Sequence, residues 1–315
     1  MKIIRRPKIN DPIFEKGSVI TIGIFDGVHL GHQSLIKKLK QKAVQMELPS
    51  IVFSFEPTPN DYFFKKQNKR LTSLRDKHRL INEYQIDYLY CPPFNSIMEN
   101  LSPSQFMTKH LINLFNPSYM IVGDDFRFAK DRKGSIKDLL MTGESNNFEV
   151  EQMTSVVDNN TRISSSLIRD SLSQGNLLLA NQMLGRNYSL TGRVIYGQQV
   201  GSELGIPTAN INLSETNNPL RGVFCVKVSL PNSTQEIFGI ANLGYRPTIG
   251  GQKLNLEVHL LDFDKDIYKS YIKIEFLSYL RKEKKFNNLD ALKRQINQDI
   301  EAAKQYFNTV DRPYL

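Results

Sequence analysis

The sequence predicts two domains, an α/β domain with a parallel sheet over residues 1–185 and a β-barrel domain with a C-terminal helix over residues 186–315. In the first half, near-continuous apolar runs alternate with helical patterns, which is typical of a parallel sheet covered on both faces. The second half changes to β-rich runs between frequent turn signals, which is typical of an antiparallel barrel. The chain has 315 residues, a length that suits two domains of roughly 100–200 residues each.

The elements of the first half follow from its apolar runs and helical spacings. Buried strands are predicted at 18–25, 50–55, 86–90 and 119–122, and helices near 33–47, 73–84 and 103–115. The serines at 164–166 predict the start of a helix that runs to about 173, because serine caps helix N-termini well. A further helix at about 176–184 ends at Gly185, which we interpret as a C-cap and as the domain edge.

The elements of the second half are mostly strands. The predicted strands are 189–196, 222–230, 236–242, 254–262 and 271–277. An amphipathic helix closes the chain over about 288–307, since its apolar residues recur on one face.

The bulk composition narrows the class of protein. The net charge is +9, which fits either nucleic-acid binding or an enzyme with anionic substrates. We expect the second and no nucleic-acid partner, because no basic patch interleaved with aromatic residues stands out. No window is apolar over the length of a membrane span and no secretory signal is evident, so we expect no membrane association. Cys91 and Cys225 lie far apart in sequence, which favours a reducing cytoplasm. We expect a monomer or weak oligomer.

The most informative segment lies where the first buried strand turns into a helix. It reads Gly23-Ile24-Phe25-Asp26-Gly27-Val28-His29-Leu30-Gly31-His32. A helix N-terminus offers unpaired N–H groups and the positive end of a dipole, which suits a phosphate. Two imidazoles at the same place add donors for a triphosphate. On residue types alone, the alternatives are a pair of capping or core histidines and, more weakly, a zinc site that lacks a third ligand.

This segment, taken together with the serine-rich helix start, resembles the paired signatures of the nucleotidyltransferase superfamily that has an HxGH site. The second signature is Ile163-Ser164-Ser165-Ser166-Leu167-Ile168-Arg169, which by itself is open to interpretation as a plain N-cap. The resemblance implies a Rossmann-like domain in which both signatures meet the nucleotide triphosphate. Chemistry of this kind relies on positioning and charge stabilisation, which histidines, backbone N–H groups, an arginine and a metal ion supply.

The second half carries a different set of blocks, which resemble those of riboflavin kinases. They are Gly201-Ser202-Glu203-Leu204-Gly205-Ile206-Pro207-Thr208-Ala209-Asn210-Ile211, residues 239–248, residues 256–263, Tyr268, and residues 280–286. Thr208 and Asn210 carry neutral oxygens of the type that Mg²⁺ accepts, and on an extended segment their side chains share one face. Without the resemblance, Glu257 reads as a solvent-facing strand residue and Pro207 as part of an ordinary turn.

Over essentially its whole length the chain resembles the prokaryotic bifunctional riboflavin kinase/FAD synthetases, with the adenylyltransferase first and the kinase second. Blocks at 55–57, 70–72 and 123–128 agree with that order. The resemblance implies ATP, riboflavin and FMN as substrates, FAD as the final product, and Mg²⁺ as cofactor. A protein with one decayed activity and a flavin-sensing or RNA-binding regulator are the alternatives.

The resemblance also implies roles for individual residues. In the adenylyltransferase, the catalytic pair is His29 and His32, the ATP and phosphate pocket holds Gly23, Phe25, Asp26, Gly27, Gly31, Ser164, Ser165 and Arg169, and the flavin or adenosine pocket holds Asp125 and Phe126. In the kinase, Glu257 is the general base, Gly201, Gly205 and Pro207 bind ATP, Thr208 and Asn210 bind the metal, and Arg281 lies on the flavin side.

Four positions depart from the family pattern. Ile24 stands where Asn is common, Thr58 where His is common, Ala129 where Gly is usual and Ser202 where Arg is usual. We expect Ala129 to make its loop less free to adopt a positive φ. We expect the loss of a cation at Ser202 to weaken ATP binding unless a base such as Arg193 or Arg246 replaces it.

Overall fold

The computed structural model describes residues 1–64, 69–158, 161–197, 201, 205–213, 217–231, 233–248 and 251–310. The chain forms two compact units. The first comprises Met1–Asn68 and Leu74–Ser164, and the second comprises Lys69–Ser73 and Ser165–Leu315. A short segment from the middle of the first half thus belongs to the second unit, and so do the residues from 165 to 185. The functional boundary at residue 185 stays a prediction.

The first unit is built on six parallel strands, in the order β1-β4-β3-β2-β5-β6. Their bounds are β1 Lys2–Ile4, β2 Ser18–Ile22, β3 Ser50–Phe53, β4 Tyr88–Tyr90, β5 Pro117–Gly123 and β6 Glu149–Met153. The helices are α1 Leu30–Met46, α2 Pro59–Phe64, α3 Leu74–Asn82, α4 Ser96–Glu99, α5 Pro103–Met107, α6 Asn113–Phe115 and α7 Ile136–Asn146. A small antiparallel hairpin follows, with β7 Val157–Asp158 and β8 Thr161–Arg162. The predicted parallel sheet is confirmed.

Both faces of this sheet are covered, which explains why its central strands read as continuous apolar runs. Along the fully buried β2, Ile20 and Ile22 pack into one hydrophobic cluster, whereas Val19 packs into the cluster on the opposite face, beneath α1. The predicted strand 18–25 ends earlier, at Ile22, because the chain turns sharply after it. The helix predicted at 103–115 forms, but Thr108–Ile112 in its middle is a π-helix.

The main stretch of the second unit, from Ser165 onward, begins with two helices, α8 Ser165–Ser173 and α9 Leu177–Leu184. Gly185 follows in the left-handed conformation, and its N–H bonds the end of α9. The predicted C-cap is therefore confirmed.

A closed antiparallel barrel follows, in the order β10-β13-β12-β11-β14-β9, and the pairing of β9 with β10 completes the ring. Its strands are β9 Ser189–Ile195, β10 Ala209–Asn212, β11 Gly222–Ser229, β12 Glu236–Thr248, β13 Gly251–Leu260 and β14 Tyr271–Arg281. Alternate residues fill the interior, as Leu256, Val258 and Leu260 do on β13.

The C-terminal helix α10, Leu289–Val310, packs on the outside of the barrel. Its apolar face contacts a cluster that includes Cys225 and Ile240, and Ala303 is fully buried there. The predicted barrel with a closing amphipathic helix is confirmed. Among the described residues, no helix combines the length and the apolar composition that crossing a membrane requires.

Candidate functional site

The histidine-bearing turn follows β2, at the point where the strand order of the sheet reverses. From β2 the chain proceeds outward through β3 and β4 on one side, and β5 lies on its other side. Ligands of open α/β sheets bind at the carboxyl ends of strands at such a switch point. The topology therefore places residues 23–32 where a nucleotide site is expected.

The backbone of this turn is strained. Phe25 has a φ of 51° and Val28 a φ of 41°, both in the left-handed region that bulky and β-branched residues avoid. Gly27 between them has a φ of 82°, which glycine adopts at little cost. Phe25 and Val28 are buried in the core beneath α1, and this packing holds the strained conformation. Strain of this kind clusters at functional sites.

The two histidines contact each other at the start of α1. His29 is the N-cap, and its Nδ1 accepts a long hydrogen bond of 3.4 Å from the His32 N–H. The imidazole rings stack with centroids 3.7 Å apart. Because Nδ1 acts as the acceptor, neutral His29 carries its proton on Nε2. A Cβ at Gly31 would lie 3.2 Å from ring atoms of His29, so glycine at this position leaves room for the imidazole.

The remaining predicted residues of the turn are also placed within it. Asp26 is buried, and a Cβ at Gly23 would lie 3.0 Å from the Phe25 ring. Ile24, the departure from the family pattern, packs its side chain against the core cluster opposite to that of Phe25.

Ser54 and Lys77, which the sequence analysis did not identify, hold the turn in place through hydrogen bonds. Ser54 Oγ donates to the carbonyl of Ile24 at 3.0 Å and accepts from Nζ of Lys77 at 3.0 Å. Lys77 is buried, and burying a lysine is costly unless it is paired. Ser54 directly follows β3, so its position at the carboxyl edge of the sheet is the signal that could have found it.

The predicted flavin or adenosine loop follows β5, which pairs with β2. The two turns therefore emerge from neighbouring strands at the same edge of the sheet. Asp125 is exposed and forms an ion pair of 2.7 Å with Arg162, which also lies 3.3 Å from Asp124. Hydrogen bonds from the Ser155 hydroxyl and N–H, aided by Arg162, hold the pKa of Asp124 below its usual value. Phe126 stacks on Phe128.

Two of the departures take up clear structural roles. Ala129 adopts a φ of 64° and a ψ of −172°, a region that is essentially restricted to glycine. Ala129 thus adopts a positive φ at a cost in backbone strain that glycine, the usual residue, would not have. Thr58 is buried, and its hydroxyl and N–H both donate to the Asp61 carboxylate in the first turn of α2.

The boundary between the two compact units falls within the sequence of the second nucleotide signature. Ser164 is the last residue of the first unit, and Ser165 begins α8 in the second. Arg169 on α8 donates from Nε to the carbonyl of Lys69 at 2.7 Å.

On the barrel, three strands bring polar side chains into one row. Asn210 on β10 is the direct register partner of Glu257 on β13, and Asn242 on β12 is the partner of Glu257 on the other side. Directly opposite residues share a face, and the neighbours of Glu257 along β13 are buried inside the barrel. The row therefore lies on the outer face of the barrel, where Asn242 is exposed, Glu257 is half-buried and Asn210 is buried. Asn255 donates to Glu257 Oε1 at 3.0 Å.

Close packing surrounds the proposed metal ligands. A Cβ at Gly201 would come within 3.1 Å of Thr208 Oγ1, and one at Gly197 within 2.1 Å of the Asn210 amide. Gly205 has a φ of 77°. Gly197 and Gly201 thus permit backbone to lie directly against the side chains of Asn210 and Thr208.

The other residues that the sequence analysis discussed for the kinase site lie outside this row. The carbonyl of Pro207 lies 2.8 Å from His259 Nδ1. Arg193 donates to the carbonyl of Lys269. Ser202 lies outside the described residues, and so does the side chain of Arg246. The expectation that another base replaces the arginine usual at position 202 therefore stays a prediction.

The Arg281 guanidinium forms an ion pair with another side chain of the second unit. Its Nε and Nη2 donate to the two carboxylate oxygens of Asp299 on α10, at 2.8 and 2.6 Å. Both side chains are mostly buried, so this bidentate pair fastens α10 to the end of β14. The flavin-side role of Arg281 stays a prediction.

Sequence comparisons identify the family. Residues 11–167 match the model of the FAD synthetase family, and residues 184–307 match that of the riboflavin kinase family. A bifunctional riboflavin kinase/FMN adenylyltransferase from Haemophilus influenzae is 41% identical, over 93% of this chain and 96% of its own. The protein of the same description from Escherichia coli K12 is 37% identical, over 98% of both chains. The present chain belongs to this bifunctional family.

Membership of the bifunctional riboflavin kinase/FMN adenylyltransferase family confirms the resemblance drawn from the motifs, including the order of the two parts. A solved structure described as a macrolide-efflux protein from Streptococcus pneumoniae is 28% identical, with a TM-score of 0.80. It covers 96% of this chain and 99% of its own. The fold of this bifunctional family member is therefore shared with a protein of another description.

Proposed function

We propose that this chain makes FMN and then FAD. The second half transfers the γ-phosphoryl group of ATP to the 5′-hydroxyl of riboflavin and releases ADP. The first half transfers AMP from a second ATP to FMN and releases pyrophosphate. The observation that carries this proposal is that each family segment holds its own polar site, the stacked histidines after β2 and the Asn210–Glu257 pair on the barrel.

In the kinase step, Glu257 acts as the general base. Its carboxylate accepts the proton of the riboflavin hydroxyl while the oxygen bonds to the γ-phosphorus and the bond to the ADP oxygen breaks. Asn255 orients the carboxylate through its hydrogen bond. Base assistance of this kind contributes about 10²–10⁴-fold to a rate. Gly201, Gly205 and Pro207 place backbone against the ATP phosphates.

The donor set on the barrel fits Mg²⁺. Within the described residues, no group of three His, Cys, Asp or Glu side chains is placed to hold a metal. Thr208 and Asn210 offer a hydroxyl and an amide oxygen, and Glu257 lies beside Asn210. Mg²⁺ prefers such oxygens and keeps waters and phosphates as further ligands. When bound, the ion neutralises phosphate charge during transfer.

In the adenylyl step, an FMN phosphate oxygen bonds to the α-phosphorus and the bond to the pyrophosphate oxygen breaks. His29 and His32 stabilise the charge on the ATP phosphates, with His29 donating from Nε2. Gly23, Phe25, Asp26, Gly27 and Gly31 shape this pocket. Ser164, Ser165 and Arg169 hold the β- and γ-phosphates, and Asp125 with Phe126 contacts the flavin or adenosine.

The setting of these reactions completes the proposal. The functional boundary lies near residue 185, and Arg281 lies on the flavin side of the kinase site. The protein acts in the cytoplasm as a monomer or weak oligomer without nucleic acid. The free thiols of Cys91 and Cys225 support a reducing compartment.

The test is a direct assay of products. Purified protein is incubated with riboflavin, ATP and Mg²⁺, and the flavins are separated by chromatography. FMN should form first and FAD after it, and EDTA should stop both. If neither flavin appears, the proposed function is wrong.

A further inference from the structure

A short segment of the first half belongs to the second compact unit. We call residues Lys69–Ser73 the strap. The Arg70 N–H donates to the carbonyl of Asn217 at 2.8 Å, and Lys69 forms a parallel bridge with Asn217. Leu71 is fully buried and Thr72 nearly so. The strap is thus an integral part of the second unit.

Asn217, which holds the strap, is itself fixed by two side chains of the barrel. Arg221 Nη2 donates to Asn217 Oδ1 at 3.2 Å, and the Tyr245 hydroxyl donates to the same oxygen. The Arg221 guanidinium also lies 4.2 Å from the centre of the Tyr245 ring. These contacts give the residue that pairs with the strap a defined position.

A buried tyrosine anchors the strap at a second point. The Tyr188 hydroxyl donates to the carbonyl of Leu71 at 3.0 Å and accepts from Asn218 Nδ2 at 2.5 Å. Tyr188 is 2% exposed and Asn218 3%. Buried polar groups that satisfy one another in this way specify one arrangement. Tyr188 directly precedes β9, so a residue of the kinase half determines where the strap lies.

The strap in turn holds Arg169. The carbonyl of Lys69, two residues before Leu71, accepts the hydrogen bond from Arg169 Nε at 2.7 Å. A charged donor bonded at this distance makes a strong hydrogen bond. Because Nε lies in the plane of the guanidinium, this bond restricts the orientation of the group.

We propose that Tyr188 is a positioning residue for FAD synthesis, which acts through the strap on the guanidinium of Arg169. The inference rests on the proposed function, in which Arg169 holds the β- and γ-phosphates of ATP in the adenylyl step. Tyr188 contacts neither substrate in this scheme. It fixes the strap, and the strap fixes the arginine.

The variant Tyr188→Phe tests the inference because it removes one hydroxyl and keeps the ring. The kcat/KM for ATP in FAD formation from supplied FMN should fall about fivefold, the scale of one lost hydrogen bond. The change should lie mainly in KM for ATP. Riboflavin kinase activity of the same preparation should stay at the wild-type value, which shows that the barrel is folded. Tyr306→Phe on α10 is the matched control and should change neither activity.

A double-mutant cycle with Arg169→Lys separates positioning from general stability. If Tyr188 acts through Arg169, adding Tyr188→Phe to Arg169→Lys should lower FAD formation by less than twofold. A full, independent fivefold loss in that background overturns the inference. So does wild-type FAD formation by Tyr188→Phe alone. A wild-type protein that makes no FAD overturns the proposed function together with the inference.

Discussion

Asn210 and Glu257 are direct partners in the antiparallel register of β10 and β13. The pairing is a contact between residues 47 positions apart in the printed sequence. It places an amide and a carboxylate on the same outer face of the barrel, with the Asn242 amide on the far side of the carboxylate. A shift of one residue in this register would turn Asn210 to the opposite face.

Replacing Glu257 by Gln should stop FMN formation from riboflavin by removing the base. We expect a loss of about 10²–10⁴-fold in kcat, with FAD formation from supplied FMN unchanged. Separation of the flavin products measures both reactions. Glu236→Gln is the control, since Glu236 is an exposed strand residue paired with Lys227. Equal losses in the two variants would contradict the role of Glu257.

Replacing His32 by Ala should impair FAD formation and leave FMN formation intact. It removes the ring that stacks on His29, and we expect FAD formation to fall by about 10²-fold or more, the scale of a lost transition-state donor. FMN formation should remain. His78→Ala on α3 serves as the matched histidine change and should leave both rates intact. If His32→Ala blocked FMN production equally, the division of labour between the halves would be wrong.

Replacing Ala129 by Gly should stabilise the protein. The residue occupies a region of φ and ψ that only glycine adopts readily, and relief of that strain outweighs the added freedom of the unfolded chain. The net gain should be about 1 kcal/mol, measured by thermal or denaturant unfolding.

The same substitution in a helix gives a control of opposite sign. Ala302 is exposed on α10, and Ala302→Gly should cost about 0.5–1 kcal/mol. A destabilising Ala129→Gly would contradict the strained conformation.

Replacing Asp299 by Ala should destabilise the protein in the absence of any flavin. It leaves the mostly buried Arg281 guanidinium without its bidentate partner, which costs about 3 kcal/mol in the free energy of unfolding. Glu301→Gln disrupts only the exposed pair with Lys304 and should change stability by less than about 0.5 kcal/mol. An unchanged unfolding midpoint for Asp299→Ala would show that the pair does not fasten α10.

The sequence allowed the architecture to be predicted where the signal is local. The buried strands of the central sheet read as apolar runs, and the barrel strands other than β10 are separated by turn residues. β6 and the preceding helix α7 were not predicted. In β6, Glu149–Met153, apolar residues alternate with polar ones, and the strand lies at the edge of the sheet. β1 is only three residues long and leaves too short a pattern.

The candidate sites likewise contain features that a local sequence signal predicts and features that it does not. The histidine turn is contiguous, so its residues were predicted together, and the apolar run before it and the helical spacing of the apolar residues after it predicted the strand-to-helix junction. The pairing of Asn210 with Glu257, the contact of Arg281 with Asp299 and the support of the turn by Lys77 all depend on register or tertiary packing. Such contacts arise from strand pairing and packing, which local propensity does not encode.

The strap also bears on how such a chain can diverge. Lys69–Ser73 is encoded amid the first half, yet it completes the second compact unit. Recombination that exchanged everything beyond residue 185 would replace the residues that contact Leu71 but keep the original strap. The new second half would then have to pack against a strap with which it had not evolved. Substitutions at Tyr188 and at 69–73 should therefore be inherited as a set, although the printed sequence separates Tyr188 from Leu71 by 117 positions.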